Sequence, residues 1–247
     1  MDFSFDQWGQ NEAAALEKYL RSISHPENAE WENRIVRTSY PLLSTYTKEL
    51  RAVAKSIAKG DALSFLSLTP TCHEEVVLQG LVLGEIKDAN EQMRLLPAYL
   101  AKCDSWAQTD SLKFRITSKN EDEWFDFAVS LTHSQNTFER RCGLLIFFKM
   151  LGSDKLAKIF DTLKGMKDES EYYVNMAIAW LVCDAFIKRR EETLAFLGSG
   201  ALSAWTQNKA ISKCRDSFRV SLEDRALLLT LKKDLLAHNL HSIRLLF

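Results

Sequence analysis

Glycine and proline are scarce here, nine and four in 247 residues. Strand-rich folds need far more turn punctuation than that, so the shortage excludes them and leaves helix. The five cysteines, Cys72, Cys103, Cys142, Cys183 and Cys214, stand far apart, and no two form a Cys-x-x-Cys pair. That spacing excludes a zinc ribbon or a disulfide framework and fits reduced thiols packed in a cytosolic protein. No apolar run approaches the roughly 18 residues a membrane span needs. The opening "MDFSFDQWGQ" lacks the basic region and apolar stretch of a secretory signal. A soluble, cytoplasmic chain is the expectation. A net charge of −1 rules out a uniformly cationic coat, so an anionic partner must be held by a local basic face. No Gly-rich phosphate loop, His-Glu-x-x-His or Gly-x-Ser-x-Gly motif occurs. The histidines His25, His73, His133, His238 and His241 are scattered, so neither metal nor cofactor is expected.

What the chain does have is apolar residues at helical spacing nearly throughout. "ELRAVAKSIAKGD" sets Leu50, Val53, Ala54 and Ile57 on one face and stops at Gly60. "HEEVVLQGLVLGEIKDAN" places Gly80 and Gly84 four apart, which predicts close approach by a neighbouring helix. "NEDEWFDFAVSLTHS" begins with acids, as the helix dipole prefers. "SEYYVNMAIAWLVCDAFIKR" is the longest periodic run, and "SGALSAWTQNKAISKCRDSFRV" and "SLEDRALLLTLKKDLLAH" close the series. About a dozen helices in pairs, in degenerate units of about 40 residues, predict an all-α, HEAT-like superhelix of about six antiparallel pairs. A compact bundle would share this periodicity. Residues 1–45 read as less regular, and no linker divides the chain, so 1–247 is expected to be one domain.

Within "CDSWAQTD", Trp106 and Asp110 stand four apart, which puts an indole and a carboxylate on one helical face. Basic residues pair at the same spacing: Arg51 with Lys55, Lys209 with Lys213, and Arg215 with Arg219. Such pairs make stripes that can track phosphates.

Four stretches in order, "ELRAVAKSIAKGD", "WAQTD", "ERRCGLLIFF" and "YYVNMAIAWLVC", resemble the AlkD-type DNA alkylation repair glycosylases, a family of HEAT-like repeat proteins. The resemblance covers roughly residues 40 to 235, and "WTQNKAISKCRDSFRV" is similar to the family's basic C-terminal helix. It implies release of N3- or N7-alkylated purines from duplex DNA by a monomer, without metal, cofactor or membrane. It assigns Asp110 to the cleavage chemistry, Trp106 and Trp180 to flanking the damaged nucleotide, and Arg141 to a backbone phosphate. Two stretches depart from the pattern where DNA contacts are expected. "LLSTYTKELR" lacks the Arg and Pro that relatives carry there, and Asn175-Met176 replaces residues that are often basic.

Each residue also has an ordinary reading. Trp106 and Trp180 suit a core, Asp110 suits an N-cap for "SLKF", and Arg141 suits a solvated face. Two other functions fit the same helices: a protein that binds DNA, including structurally unusual DNA, and excises nothing, and a protein–protein scaffold.

Overall fold

The structure is a computed structural model, and it describes residues 2–234. Among these residues there is no strand. In chain order the helices are α1 (Gln10–Ser22), α2 (Ala29–Val36), α3 (Thr47–Ile57), α4 (Ala62–Ser67), α5 (His73–Leu83), α6 (Ala89–Leu100) and α7 (Trp106–Asp110). They continue as α8 (Glu121–Thr132), α9 (Thr137–Phe147), α10 (Leu156–Gly165), α11 (Tyr172–Lys188), α12 (Arg190–Gly198), α13 (Ala204–Asp216) and α14 (Leu222–Thr230), with a 3-10 turn at Pro26–Asn28 before α2. The all-α expectation holds. The stretch before residue 45 is more ordered than its composition suggests, since α1 is a full helix burying Leu16 and Leu20.

The chain packs as two compact units, one ending at Trp124 and one starting at Phe125, within α8. Each unit is organised around one helix that is apolar on nearly every side. In the first this is α5, which buries ten of its eleven residues, His73 to Leu83 apart from Glu75. In the second it is α11, which buries Val174, Ala177, Ile178, Leu181, Val182 and Phe186. A helix apolar all round has to be covered all round. Thus α3, α4, α6 and α7 pack on α5, and α9, α12 and α13 pack on α11. On α3 the covering face is the one the spacing predicts: Leu50, Val53, Ala54 and Ile57.

Polar contacts reveal the repeat. The Leu43 amide meets Glu74 across 31 residues, and Gln108 meets His73 across 35. In the second unit Arg141 meets Tyr173 across 32 residues, and Thr206 meets Asn175 across 31. On α11 and α13 the early residues Asn175 and Thr206 touch, and further along Asp184 receives Arg219 from just beyond α13. The two helices therefore run side by side in the same direction, as equivalent helices of successive repeats do.

The two glycines spaced four apart, Gly80 and Gly84, separate in role. A Cβ on Gly80 would lie 2.4 Å from the Tyr99 hydroxyl of α6 and 3.4 Å from Ser111 Oγ. Gly84 caps the end of α5 and faces Lys113. Gly80 is thus the point of close approach. The Tyr99 hydroxyl donates to the Gln108 carbonyl at 3.0 Å inside α7, so a methyl at 80 would push on the helix that carries Trp106. Gly80→Ala is expected to cost about 1–3 kcal/mol by overpacking, read as a lower denaturant midpoint at unchanged m-value.

Candidate active site

In the first unit the candidate residues share one short turn. Ser105 caps α7: its hydroxyl accepts from the Ala107 amide, and the Gln108 side chain closes a capping box. Trp106 opens the helix, half-exposed, with its indole Nε1 donating to the Ile35 carbonyl at 3.0 Å. It is therefore not a core tryptophan. Its polar edge is tied to the end of α2, which leaves ring surface open. Asp110 is the last residue of α7 and is half-exposed, and its Oδ1 accepts from Thr109 Oγ1 at 3.3 Å. Residues 112–117 are not helical. Asp110 therefore caps no following helix, and that ordinary reading falls away.

In the second unit Trp180 is 39% exposed on α11 and packs against Phe148, with ring centroids 4.6 Å apart. An all-apolar sequence neighbourhood suggested core, but residue 180 lies on the narrow open stripe of α11 with Met176 and Asp184. Arg141 is only 5% exposed, and its Nη1 donates to the Tyr173 carbonyl at 2.6 Å. It is no solvated surface charge. The guanidinium braces the first turn of α11, the helix that carries Trp180. Its neighbour Arg140 pairs with Glu169 at 2.7 Å.

Asn175 also has a structural reason for its identity. Its Nδ2 donates to the carbonyls of Glu169 and Glu171, while its Oδ1 accepts from Thr206 Oγ1 at 2.6 Å. It is a buried strut between α11 and α13. A lysine or arginine there would place a charge where an amide now satisfies three partners.

The basic residues divide. Arg51 and Lys55 are exposed on α3 and, with Thr47, Lys48 and Ala52, line a shallow depression of about 590 Å³. Lys209 and Lys213 are half-exposed on one side of α13, and Arg215 is exposed. The expected second stripe does not form, because α13 ends at Asp216 and Ser217 is extended. Arg219 therefore leaves the helix and pairs with Asp184 at 2.8 Å.

Sequence reasoning passed over two aromatics beside this face. Tyr172 at the start of α11 is 55% exposed, Trp205 at the start of α13 is 40% exposed, and their ring centroids lie 5.9 Å apart. Lys209 follows Trp205 by one turn of α13. An available signal was the aromatic opening of two helices, α11 and α13, the second of them basic.

Among the described residues no group of three or more His, Cys, Asp or Glu could hold a metal ion, and no helix is long and apolar enough to cross a membrane. His238 and His241 lie outside the described residues, as does the end of the "SLEDRALLLTLKKDLLAH" run. All five cysteines are buried, and none of them forms a disulfide.

No curated protein matches the chain. The family model described as DNA alkylation repair enzyme matches residues 16–214, well over half of the length and spanning α7, α9, α11 and α13. This match and the helical repeat agree, and the chain belongs to the DNA alkylation repair enzyme family.

Proposed function

We propose that this protein is a DNA glycosylase that hydrolyses the N-glycosidic bond of cationic N3- or N7-alkylated purines in duplex DNA. The observation that carries the reading is α7: a half-exposed indole, with its N–H tied inward, one helical turn from a half-exposed carboxylate. An alkylated purine is already positive, so it leaves as a neutral base. The remaining barrier is the positive charge that builds on the sugar. A carboxylate at Asp110 lowers it by electrostatics and by orienting water. An indole face attracts cations by about 0.5–2 kcal/mol, which suits Trp106, and by resemblance Trp180, to the charged lesion. No step calls for a metal or cofactor, and a cytoplasmic monomer suffices for this chemistry.

Phosphates are assigned to Arg51 and Lys55 on α3 and to Lys209, Lys213 and Arg215 on α13. The resemblance adds Arg141, which reaches a phosphate only if its bond to the Tyr173 carbonyl is shared or released. Arg219 already neutralises Asp184, so it contributes less than its charge suggests. Tyr172 and Trp205 offer ring faces to unstacked bases near the basic helix.

Purified protein is expected to release methylated base from alkylated duplex DNA, measured by chromatography of the free base. Its affinity for duplex should fall steeply with salt, because phosphate contacts release counterions. Lys209→Glu combined with Lys213→Glu should weaken binding to every duplex about equally. Affinity that ignores both salt and these substitutions would favour a protein-binding scaffold. Salt-dependent binding without base release would favour the non-catalytic DNA-binding reading, which the departure near Thr47 supports.

A further inference from the structure

One turn of helix cannot hold its own shape, so the orientation of Trp106 and Asp110 has to come from around α7. The surroundings are unusually well determined. Asp104 accepts from Thr38 Oγ1 at 2.7 Å, from the Ser39 amide at 2.7 Å, from Ser39 Oγ at 2.5 Å and from Gln108 Nε2 at 3.1 Å. Ser105 Oγ donates to the Val36 carbonyl at 2.6 Å, alongside the bond from Trp106 to Ile35. These carbonyls belong to the last turn of α2, where helix geometry leaves them without partners of their own. The segment before α3 is thus a seat for α7.

At the centre of the seat lies Gln108, fully buried. Its Oε1 accepts from the amides of Asp104 and Ser105 at 2.8 and 3.1 Å. Two N–H groups on one side fix which end of the amide is oxygen. The NH2 end must then face Asp104 Oδ1 and His73 Nδ1, the latter at 3.1 Å. Because that NH2 can only donate, Nδ1 must accept, and His73 is the neutral tautomer with its proton on Nε2.

We propose that His73, Gln108 and Asp104 are positioning residues for the Trp106–Asp110 helix, and that protonation of His73 unseats this helix in acid while the fold persists. The proposal rests on the reading of α7 as the catalytic helix. A proton on Nδ1 would set two donors against each other, so the Gln108 amide must withdraw and leave the Asp104 and Ser105 amides without their acceptor. Burial already pushes His73 down to about 4, with the Asp104 carboxylate pulling the other way. The hydrogen bonds from Ser39, Thr38 and Gln108 outweigh the effect of burial on Asp104 and hold it below the ordinary carboxylate range. Of the other titratable groups nearby, Glu74 also takes up a proton in this window because burial raises its carboxyl, and His73→Gln leaves that titration in place. Glu74, next on α5, is turned to the amides of residues 43–45. Burial pushes the Cys72 and Cys103 thiols up to about 12. Tyr40 is raised by burial and by Asp104.

The test uses the full chain and reads Trp106 fluorescence, taken as wild type minus Trp106→Phe, from neutral pH down to about pH 3, beside circular dichroism and single-turnover base release. In the wild type, fluorescence and base release should fall together toward the acid end, with helix content retained. Gln108→Glu cannot donate to Nδ1 and adds negative charge, so it should move the midpoint toward neutral pH by about one unit or more. His73→Gln removes the titrating group and should flatten the transition. A midpoint unmoved in Gln108→Glu and still present in His73→Gln, with native circular dichroism in both, overturns the proposal. If the fluorescence midpoint moves as expected but wild type releases no base at any pH, the seat stands and the glycosylase reading fails.

Discussion

Asp110→Asn should reduce single-turnover release of methylated base by about 10²–10⁴-fold, the range for losing one preorganised charged group. Binding of the same duplex should be nearly unchanged. The two effects separate because Asn keeps the shape of the side chain and one acceptor oxygen. Its Oδ1 can still accept from Thr109 Oγ1, as Asp110 does at 3.3 Å. It lacks the negative charge that opposes the cation forming on the sugar. Since residues 112–117 are not helical, Asp110 starts no helix, and its loss as a cap cannot explain a fall in rate. The measurement is base release under enzyme excess, next to a binding isotherm and a thermal melt. An unchanged rate would remove Asp110 from the chemistry, while a lost melt would make it structural.

How far the sequence reached differs between fold and site. Helices were legible because apolar residues recur at helical spacing, and α3 buries the four residues that spacing names. The contacts between neighbouring helices were not legible, because what recurs is a packing register and not a set of residues. An amide on a carboxylate at Leu43–Glu74, an amide on an imidazole at Gln108–His73, and a hydroxyl on an amide at Thr206–Asn175 occupy comparable offsets with unrelated chemistry. Trp106 and Asp110 could be picked out because an indole beside a carboxylate suits neither core nor solvent. Trp180 could be reached only through resemblance, since every local residue argues for burial and only the helix angle exposes it. Arg219 was misplaced for the opposite reason. Nothing in "CRDSFRV" breaks a helix, and what accompanies the chain leaving α13 is a tertiary pair with Asp184. The seat of α7 was invisible because Thr38, Ser39, His73 and Asp104 are distant in sequence and individually ordinary.

Glu74→Ala should destabilise the first unit by about 3–5 kcal/mol, the largest stability loss expected from a single residue here. Glu74 is 1% exposed, and its carboxylate takes the amides of Leu43 at 3.0 Å, Ser44 at 2.7 Å and Thr45 at 3.5 Å. Ser44 has φ of 58°, so the chain turns through a left-handed residue and its amides converge on the anion. This loop leads directly into α3 and its exposed Arg51 and Lys55, at the place where the sequence departs from the family pattern. Burial raises the Glu74 carboxyl above the ordinary range, and the amide bonds only partly pull it back. A raised folded value means that whatever stability this proton linkage supplies is present at low pH and lost as pH rises through that value. Hence the cost of Ala lies in three buried amides left without an acceptor, and not in a lost charge. Glu74→Gln keeps an acceptor oxygen and should recover a substantial part of the loss, which Ala cannot. Urea denaturation of the two variants at neutral pH distinguishes the accounts. Gln and Ala midpoints both at the wild-type value would mean that the loop holds itself, and a Gln midpoint as low as that of Ala would mean that the charge is what holds it.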